Sequence, residues 1–301
     1  MKVLLLHNPT AGGGQTSKEA LIGLLTQAGC DVTYLPTDDP QLGRRIAEAP
    51  ELLAIAGGDG TVARVLTHVD RDTAPVTILP MGTANNLARA LGICAPIPDL
   101  IAGLRRGQLR PLDLGLSDGP WGRQRFFESA GFGALAAALG PVNASKVPSS
   151  RKIAEGRAAL RRLMQDMRPA RLQVRLDDRQ LDEELLLLEL ANVPSLGPRL
   201  CIAPRADPGD GLIDAAYLPV GRREAMLAWL DDPEPVGPAP LVVQTARRVE
   251  VSWHDTPSHL DDFFHEEPAH AASMQASLEP ATARVLVPRV LVPNADSERT
   301  P

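Results

Sequence analysis

Residues 57–61 have the sequence GGDGT, which combines residue types that bind phosphate with a side chain that can hold a metal ion. The segment follows the apolar run Leu52–Ala56, a predicted strand, and precedes a helical pattern. Glycines let the backbone approach phosphate oxygens, and the first N–H groups of a helix favour an anion. Asp59 would repel phosphate unless Mg²⁺ or water lies between them, so the competing interpretation is a tight turn capped by Asp59. The predicted phosphate contacts are Gly57, Gly58, Gly60 and Thr61.

Two more strand-to-helix junctions carry the same residue types. Residues 80–89 have the sequence PMGTANNLAR, and residues 8–14 have the sequence NPTAGGG at the end of the first predicted strand. Three such junctions along one sheet edge are hard to explain as turns alone, because ligands of parallel sheets bind at the carboxyl ends of the strands. The added binding candidates are Asn8, Pro9, Gly12, Gly13, Gly82, Thr83 and Asn85.

The elements that position these junctions alternate between short apolar strands and amphipathic helices. We predict strands at Val3–Leu6, Asp31–Leu35, Leu52–Ala56 and Val76–Leu79, each followed by a helical pattern. This βα alternation is typical of a parallel sheet covered by helices. Residues 1–115 are therefore predicted to form an α/β nucleotide-binding domain.

After residue 115 the pattern changes to short strands separated by turns, with one helical stretch at Ser150–Met167. Alternating strands of this kind predict an antiparallel β-sandwich for residues 116–293. The last strand, Ala283–Val287, is expected either to stay in this domain or to return to the first one. Residues 294–301 are polar and are predicted to be a disordered tail.

Composition and charge exclude several classes of function. The chain has 301 residues, a net charge of −6 and 3% aromatic residues, so neither DNA nor RNA is an expected partner. Its three cysteines are far apart, which argues against a disulfide framework or a zinc site. No apolar run approaches the length of a membrane span. We therefore expect a cytoplasmic protein, and we treat its histidines, including His259, as packing or surface residues.

Five motifs together resemble a known family. They are NPTAGG at 8–13, GGDGT at 57–61, PMGTANNLAR at 80–89, LDLG at 112–115 and APRADPGDGLID at 203–214. In this order and spacing they are similar to the diacylglycerol kinase catalytic fold, in particular to bacterial lipid kinases of the YegS type and to sphingosine kinases. NAD kinases share GGDGT and the two-domain plan, but the GTANN element at 82–86 of the third motif and the DGLID element at 210–214 of the last one favour the lipid branch.

The resemblance implies an ATP-dependent lipid kinase that transfers a γ-phosphoryl group to a lipid hydroxyl. It implies that ATP lies between the domains, held by Asn8, Thr37, residues 57–61 and Thr83, and that Asp59 organises the Mg²⁺ of the nucleotide. It further implies a structural Mg²⁺ held by Asp207, Asp210 and the Leu212 carbonyl. The alternatives are a degenerate member that binds nucleotide or lipid without transfer, and a NAD kinase relative that acts on a soluble nucleotide.

Two departures from the family pattern affect the expected mechanism. Arg64 follows the GGDGT element where the family usually has an acidic residue. The family's catalytic Asp lies in an LDGEP-like element, and residues 260–268 here have the sequence LDDFFHEEP. Alignment on Leu-Asp makes Asp261 the general base, whereas alignment on Glu-Pro makes His265 the base beside Glu267. Both residue types can accept a proton, and we favour the second alignment slightly.

The predicted helix Ser150–Met167 carries an excess of arginine on one face. One interpretation is a solvated helix packed on the sandwich. The other is a peripheral contact between Arg157, Arg161, Arg162 and the inner face of a membrane, which would bring the cleft to its lipid. The sequence leaves the choice between a monomer and a homodimer open.

Overall fold

The computed structural model describes residues 1–14, 16–48, 51–143, 149–197, 199–232, 236–268 and 270–290. The predicted disordered tail, residues 294–301, lies outside the described residues. Among the helices of the described segments, none is both long and apolar enough to cross a membrane.

The first third of the chain forms a parallel sheet with helices on its faces. Its strands run in the order β2-β1-β3-β4, and all six residues of β3 are buried, as expected when helices cover both faces. The elements are β1 (Lys2–His7), α1 (Lys18–Gln27), β2 (Asp31–Pro36), α2 (Leu42–Ala47), β3 (Leu52–Gly57), α3 (Asp59–Leu66), β4 (Val76–Pro80), α4 (Asn86–Ala90) and α5 (Ile97–Gly103). The predicted α/β class of this region is confirmed.

The remainder is mainly antiparallel. Its elements are β5 (Gln108–Gly119), β6 (Gly122–Phe126), β7 (Ser129–Gly133), α6 (Ala134–Asn143), α7 (Ser149–Asp166), β8 (Arg171–Leu176), β9 (Arg179–Leu181), β10 (Leu185–Ala191), β11 (Ser195–Leu196), β12 (Leu200–Cys201), β13 (Ile213–Pro219), α8 (Arg223–Asp231), β14 (Val242–Ala246), β15 (Arg248–His254), β16 (Ser258–Leu260), β17 (Phe263–His265) and β18 (Ala272–Val287). A six-stranded sheet has the order β14-β13-β10-β7-β16-β17.

The strands β18, β15, β8 and β9 continue the sheet of β1–β4, which has ten strands in all. A hydrophobic core lies between this antiparallel part of the ten-stranded sheet and the six-stranded sheet. Phe132 and Tyr217 contribute to it from the six-stranded sheet, and Val251, Trp253 and Met274 from the other side. Apolar side chains that alternate toward a shared core are typical of a β-sandwich. The predicted sandwich is therefore confirmed.

Strands β5 and β18 connect the two halves. β18 pairs antiparallel with β5 and β15, and it also pairs in parallel with β4 through Val285 and Val76. The β5–β18 ladder shifts register between Glu279 and Ala283. There the buried Asp113 carboxylate accepts hydrogen bonds from the backbone N–H of Ala281 at 2.6 Å and of Gly211 at 2.7 Å. The LDLG motif thus has a structural role, because Asp113 pairs with one N–H group at the register shift and with another in the loop before β13.

The arginines of α7 do not all point to solvent. Arg157 lies over the Trp229 ring at 4.5 Å and donates to the Trp229 carbonyl, while Arg161 forms an ion pair with Asp231. Both partners belong to α8. Of the three arginines expected at a membrane surface, two therefore join α7 to α8, and Arg162 is exposed.

Candidate functional site

The three glycine-rich junctions meet at the carboxyl ends of β1, β3 and β4. Gly58 and Gly82 lie so close that a Cβ on Gly82 would be 2.6 Å from the Gly58 Cα, and a Cβ on Gly12 would be 2.6 Å from the Met81 carbonyl oxygen. Met81 N–H donates to the Gly57 carbonyl at 2.8 Å, which joins two of the junctions. Only glycine permits this approach of one backbone to another. The junctions therefore form one surface built largely from backbone, and its glycines are required by packing.

Asparagine side chains fix the shape of this surface. Asn8 donates from Nδ2 to the Thr61 hydroxyl at 3.1 Å, and its Oδ1 accepts from the Thr10 N–H at 3.1 Å. Asn85 has a left-handed backbone with φ of 52°, and its side chain both accepts from the Gly82 N–H and donates to the Gly82 carbonyl at 2.8 Å. Asparagine tolerates this conformation better than most residues. Asn85 thus supports the loop.

A first cleft of about 630 Å³ opens over this surface, and Ile153 and Gly156 of α7 lie on its other side. Most of the predicted binding residues line it, whereas Gly57 and Asn85 lie behind the surface and hold its backbone. The predicted residues in the lining are Asn8, Pro9, Gly12, Gly13, Thr37, Gly58, Asp59, Gly60, Thr61, Gly82 and Thr83. The start of α3 faces this cleft, so its free N–H groups favour an anion there.

A second cleft of about 480 Å³ adjoins the first. Apolar side chains form much of its wall: Ala63, Leu87, Phe127, Leu260 and Phe263. Phe263, on the edge strand β17, is 72% exposed. The residues common to both clefts are Asp59, Gly60, Arg64, Glu128 and Asp262. A polar, glycine-lined space and a more apolar space therefore meet at a group of charged side chains.

Three of these shared residues are carboxylates whose charges repel one another. Burial raises the pKa of Asp59, and the charge of Asp262 raises it further. Burial, followed by the charges of Asp59, Asp261 and Asp262, holds the pKa of Glu128 well above its usual range. One carboxylate oxygen of Glu128 is buried and has no hydrogen-bond partner, while the other accepts from Asn86 at 3.2 Å. Such a cluster is stabilised by a cation or by uptake of a proton.

Asp261, one of the two candidate bases from the sequence, lines the second cleft, but backbone groups surround its carboxylate. It accepts hydrogen bonds from the N–H groups of Phe127 at 2.9 Å, Glu128 at 2.7 Å and Ser129 at 3.2 Å. Burial outweighs these bonds and raises the pKa of Asp261 to about 6. Its backbone is left-handed, with φ of 48°. The carboxylate of Asp261 therefore fixes the start of β7, and the turn presents Asp262 to both clefts.

The other alignment led to His265 and Glu267, which line neither of these clefts. The His265 ring stacks on Trp121 with centroids 4.4 Å apart, and burial lowers the pKa of this histidine. Glu267 is exposed. The structure thus places both residues beside the sandwich edge, away from the glycine surface.

The predicted structural metal site does not suit a cation. The Arg110 guanidinium lies 3.5 Å from the Asp207 carboxylate. The carboxylates of Asp207 and Asp210 accept backbone N–H bonds from Gly209 at 3.1 Å and from Leu212 at 2.9 Å. Within the described segments, no three His, Cys, Asp or Glu side chains are arranged to hold a metal ion without further ligands. An arginine already supplies positive charge at Asp207, so these residues do not fit the structural Mg²⁺.

The sequence did not identify Glu128 and Asp262 as residues common to the two clefts, and Arg64 stood out only as a departure from the family pattern. Glu128 precedes β7 and Asp262 follows β16, so each lies at least 39 residues beyond the last glycine loop, which ends at residue 89. The available signal was the acidic pair Asp261-Asp262, in which one residue faces inward and the other faces the clefts. No local sequence pattern shows which of the two carboxylates faces the clefts.

Family comparisons agree with this geometry. Residues 2–117 match the diacylglycerol kinase catalytic domain, and residues 128–287 match the YegS C-terminal NAD kinase beta sandwich-like domain. The chain belongs to this family of lipid kinases. Its members are phosphotransferases, and the family suggested by the motifs is confirmed.

Individual relatives match this chain over most of its length. A "Probable lipid kinase YegS-like" of Pseudomonas aeruginosa is 29% identical over 95% of this chain and 94% of its own. A "Diacylglycerol kinase" of Bacillus subtilis is 29% identical over 71% of this chain and 72% of its own. The crystal structure of a diacylglycerol kinase from Bacillus anthracis superposes with a TM-score of 0.69 at 17% identity, over 95% of this chain and 96% of that one.

An NAD kinase from Archaeoglobus fulgidus in complex with ATP superposes with a TM-score of 0.51 at 11% identity, over 96% of this chain and 94% of that one. At this level of identity the two structural comparisons show the shared fold alone.

Proposed function

We propose that this kinase transfers the γ-phosphoryl group of ATP to the hydroxyl of a lipid alcohol such as diacylglycerol, at the junction of the two clefts. The observation that carries the proposal is the set of charged residues common to a glycine-lined cleft and an apolar one. A phosphoryl donor and an amphipathic acceptor need such adjoining spaces, since transfer requires the reacting oxygen and phosphorus in line.

The donor side is the first cleft. Gly12, Gly58 and the first turn of α3 would contact the phosphates through backbone N–H groups, with Gly82 and the Thr83 side chain beside them. The carboxylates Asp59 and Glu128 fit a magnesium ion that arrives with the nucleotide, since phosphate oxygens and water complete its usual octahedral shell. When bound, Mg²⁺ supplies charge neutralisation on the transferring phosphoryl group.

The acceptor side is the second cleft. Its apolar wall suits acyl chains, which would extend from the carboxylates toward the exposed Phe263. We expect the bilayer to contact the protein at that opening. Helix α7 is the less suitable surface, because Arg157 and Arg161 are bound to α8.

We assign Asp262 as the group that accepts the hydroxyl proton. It lines both clefts, whereas the Asp261 carboxylate is held by three backbone N–H groups. A base must lie within hydrogen-bond reach of the proton that it removes, and only residues at the junction meet this requirement.

The deciding experiment incubates the purified protein with labelled ATP, Mg²⁺ and a total lipid extract. The expected result is a labelled lipid with wild-type protein and a loss of about 10²-fold or more with Asp262→Asn. Asp261→Asn serves as the companion variant, because its side-chain oxygen can still accept the backbone N–H bonds that hold the turn and the loss in rate should be smaller than that of Asp262→Asn. A protein that binds nucleotide yet labels no lipid would be a degenerate binding member, and label in a soluble nucleotide would favour the NAD kinase alternative.

A further inference from the structure

A buried histidine–glutamate pair lies behind the acidic turn, outside the two clefts. Glu189 and His259 are 0% and 3% exposed, and the His259 Nε2 lies 3.1 Å from both carboxylate oxygens of Glu189. They belong to β10 and β16, which flank β7, and both residues pair with Gly131 in register. A Cβ on Gly131 would collide with both side chains. The glycine therefore provides the space in which the pair forms.

The second ring nitrogen of His259 reaches the acidic turn. His259 Nδ1 lies 2.8 Å from the carbonyl oxygen of Asp261 and can only donate there, because a carbonyl has no proton to give. Asp261 N–H in turn donates to the Ser129 carbonyl at 2.8 Å. The turn is thus held on its carbonyl side by the histidine, and on its N–H and carboxylate sides by the start of β7.

Glu189 determines which protons the histidine ring carries. The acidic charges and hydrogen-bond acceptors around the ring raise the pKa of His259 in spite of its burial, and Glu189 contributes most to this effect. Because Nδ1 donates to the Asp261 carbonyl, Nε2 can hydrogen-bond to the Glu189 carboxylate only through a proton that lies between them. A buried carboxylate without such a partner would be strongly destabilising, so each residue requires the other.

We propose that His259, oriented by Glu189, is a positioning residue that holds the Asp261–Asp262 turn so that Asp262 faces the reacting hydroxyl. Neither residue lines either of the two clefts. The inference rests on the proposed role of Asp262, and it extends that role to a second layer that the sequence analysis treated as packing. A displacement of about 1 Å in a reacting group can lower the rate on the order of 10²-fold. Residues that only hold the turn in place can therefore affect the rate.

The test compares two variants whose side chains have the same number of heavy atoms, in one background. Glu189→Gln removes the buried charge, so that changes at position 259 leave no unpaired carboxylate. His259→Asn in this background places an amide N–H near the former Nδ1, whereas His259→Leu has the same branching and no donor.

We expect the Leu double variant to lose about 10- to 100-fold in kcat relative to the background, with an unchanged KM for ATP, and the Asn variant to recover most of it. Equal kcat values in the two folded double variants would overturn the proposal. Tyr217→Phe is the matched control, since it removes a buried hydrogen bond with Gln244 in the same sheet and should leave kcat unchanged.

A second variant keeps the test decisive if the Leu protein does not fold. Gly131→Ala retains both ionisable groups and forces them apart, so kcat should fall while the KM for ATP does not change. Wild-type kcat in folded Gly131→Ala would overturn the proposal. Crystal structures of Gly131→Ala and wild type separate this inference from the proposed function: a displaced turn at Asp261 supports it even if no lipid is labelled, and an unmoved turn contradicts it.

Discussion

The proposed nucleotide side of the site is built largely from backbone, and the proposed acceptor side is built from side chains brought together by the fold. On the first side, glycines at positions 12, 58 and 82 allow loops to touch, and the helix start supplies N–H groups. On the second side, Glu128 directly precedes β7 and Asp262 lies in the turn between β16 and β17. The positions of the groups on the first side are therefore set within short segments of the chain. On the second side, the positions of the carboxylates depend on the register of the adjacent strands β10, β7 and β16.

The largest effect is expected at Asp59, where the two sides meet. Asp59→Asn removes a carboxylate that burial and Asp262 already destabilise, so the melting temperature should stay the same or rise. Phosphoryl transfer should nevertheless fall by about 10³-fold, because charge neutralisation at the phosphoryl group is lost. Thermal unfolding and lipid labelling measured on one preparation check both parts. A parallel loss of stability and activity would show that Asp59 serves mainly as a helix cap.

A smaller but selective effect is expected from Gly82→Ala. The new methyl group would lie 2.6 Å from the Gly58 Cα, so the two loops must separate. ATP affinity, measured by calorimetry, should drop by about 10-fold or more, since each phosphate contact depends on loop position. Gly23→Ala is the control, because nothing lies within 4 Å of its Cβ and the helix should gain about 1 kcal/mol. Equal ATP affinity in the two variants would contradict a backbone-built nucleotide side.

The same contrast explains what the sequence could predict. The strands before the three glycine motifs, the α/β class and the sandwich class follow from local periodicity and turn chemistry, and the structure confirms both classes. Ser17 caps α1 by accepting the Ala20 N–H at 3.2 Å, which is also a local signal. The motifs indicated the family because their residues are close in sequence.

Other features could not be predicted because they depend on pairing across long separations. β18 spans sixteen residues and only its last part was predicted, since the bulge at Ala281 interrupts the alternation of buried residues. The Glu189–His259 pair joins residues 70 positions apart. Asp207 was assigned to a metal, but a distant arginine, Arg110, lies against it in the structure. Sequence spacing carries no information on such a partner.

A third prediction compares the carboxyl groups of the site with Asp214, a buried carboxyl group outside it. Asp214, 3% exposed, is raised in pKa to about 6 by burial and by the charge of Asp210. Above that pH the folded protein must keep a buried charge, so the cost is present at pH 8 and disappears as the pH falls toward about 4, the unfolded value.

Asp214→Asn should therefore be more stable than wild type at pH 8 by on the order of 1–2 kcal/mol, and the difference should vanish near pH 4 to 5. Denaturant unfolding at several pH values measures it. Lipid labelling should remain unchanged, in contrast to the outcome at Asp59. A pH-independent difference in stability would mean that Asp214 does not titrate as described.

The smallest effect is expected from substitution of His265 or Glu267, the residues that the alignment on Glu-Pro placed at the catalytic position. That ring stacks on Trp121, and its Nε2 is buried without a hydrogen-bond partner, so the side chain acts in packing at the sandwich edge. His265→Phe retains an aromatic ring for the stack and should change kcat/KM little, as should Glu267→Gln on the exposed surface. A histidine base would lose activity as it protonates, and burial lowers the pKa of His265, so its acidic limb would lie below about pH 6.5. Loss of that limb in His265→Phe, with a large fall in rate, would return the catalytic role to His265 and remove it from Asp262.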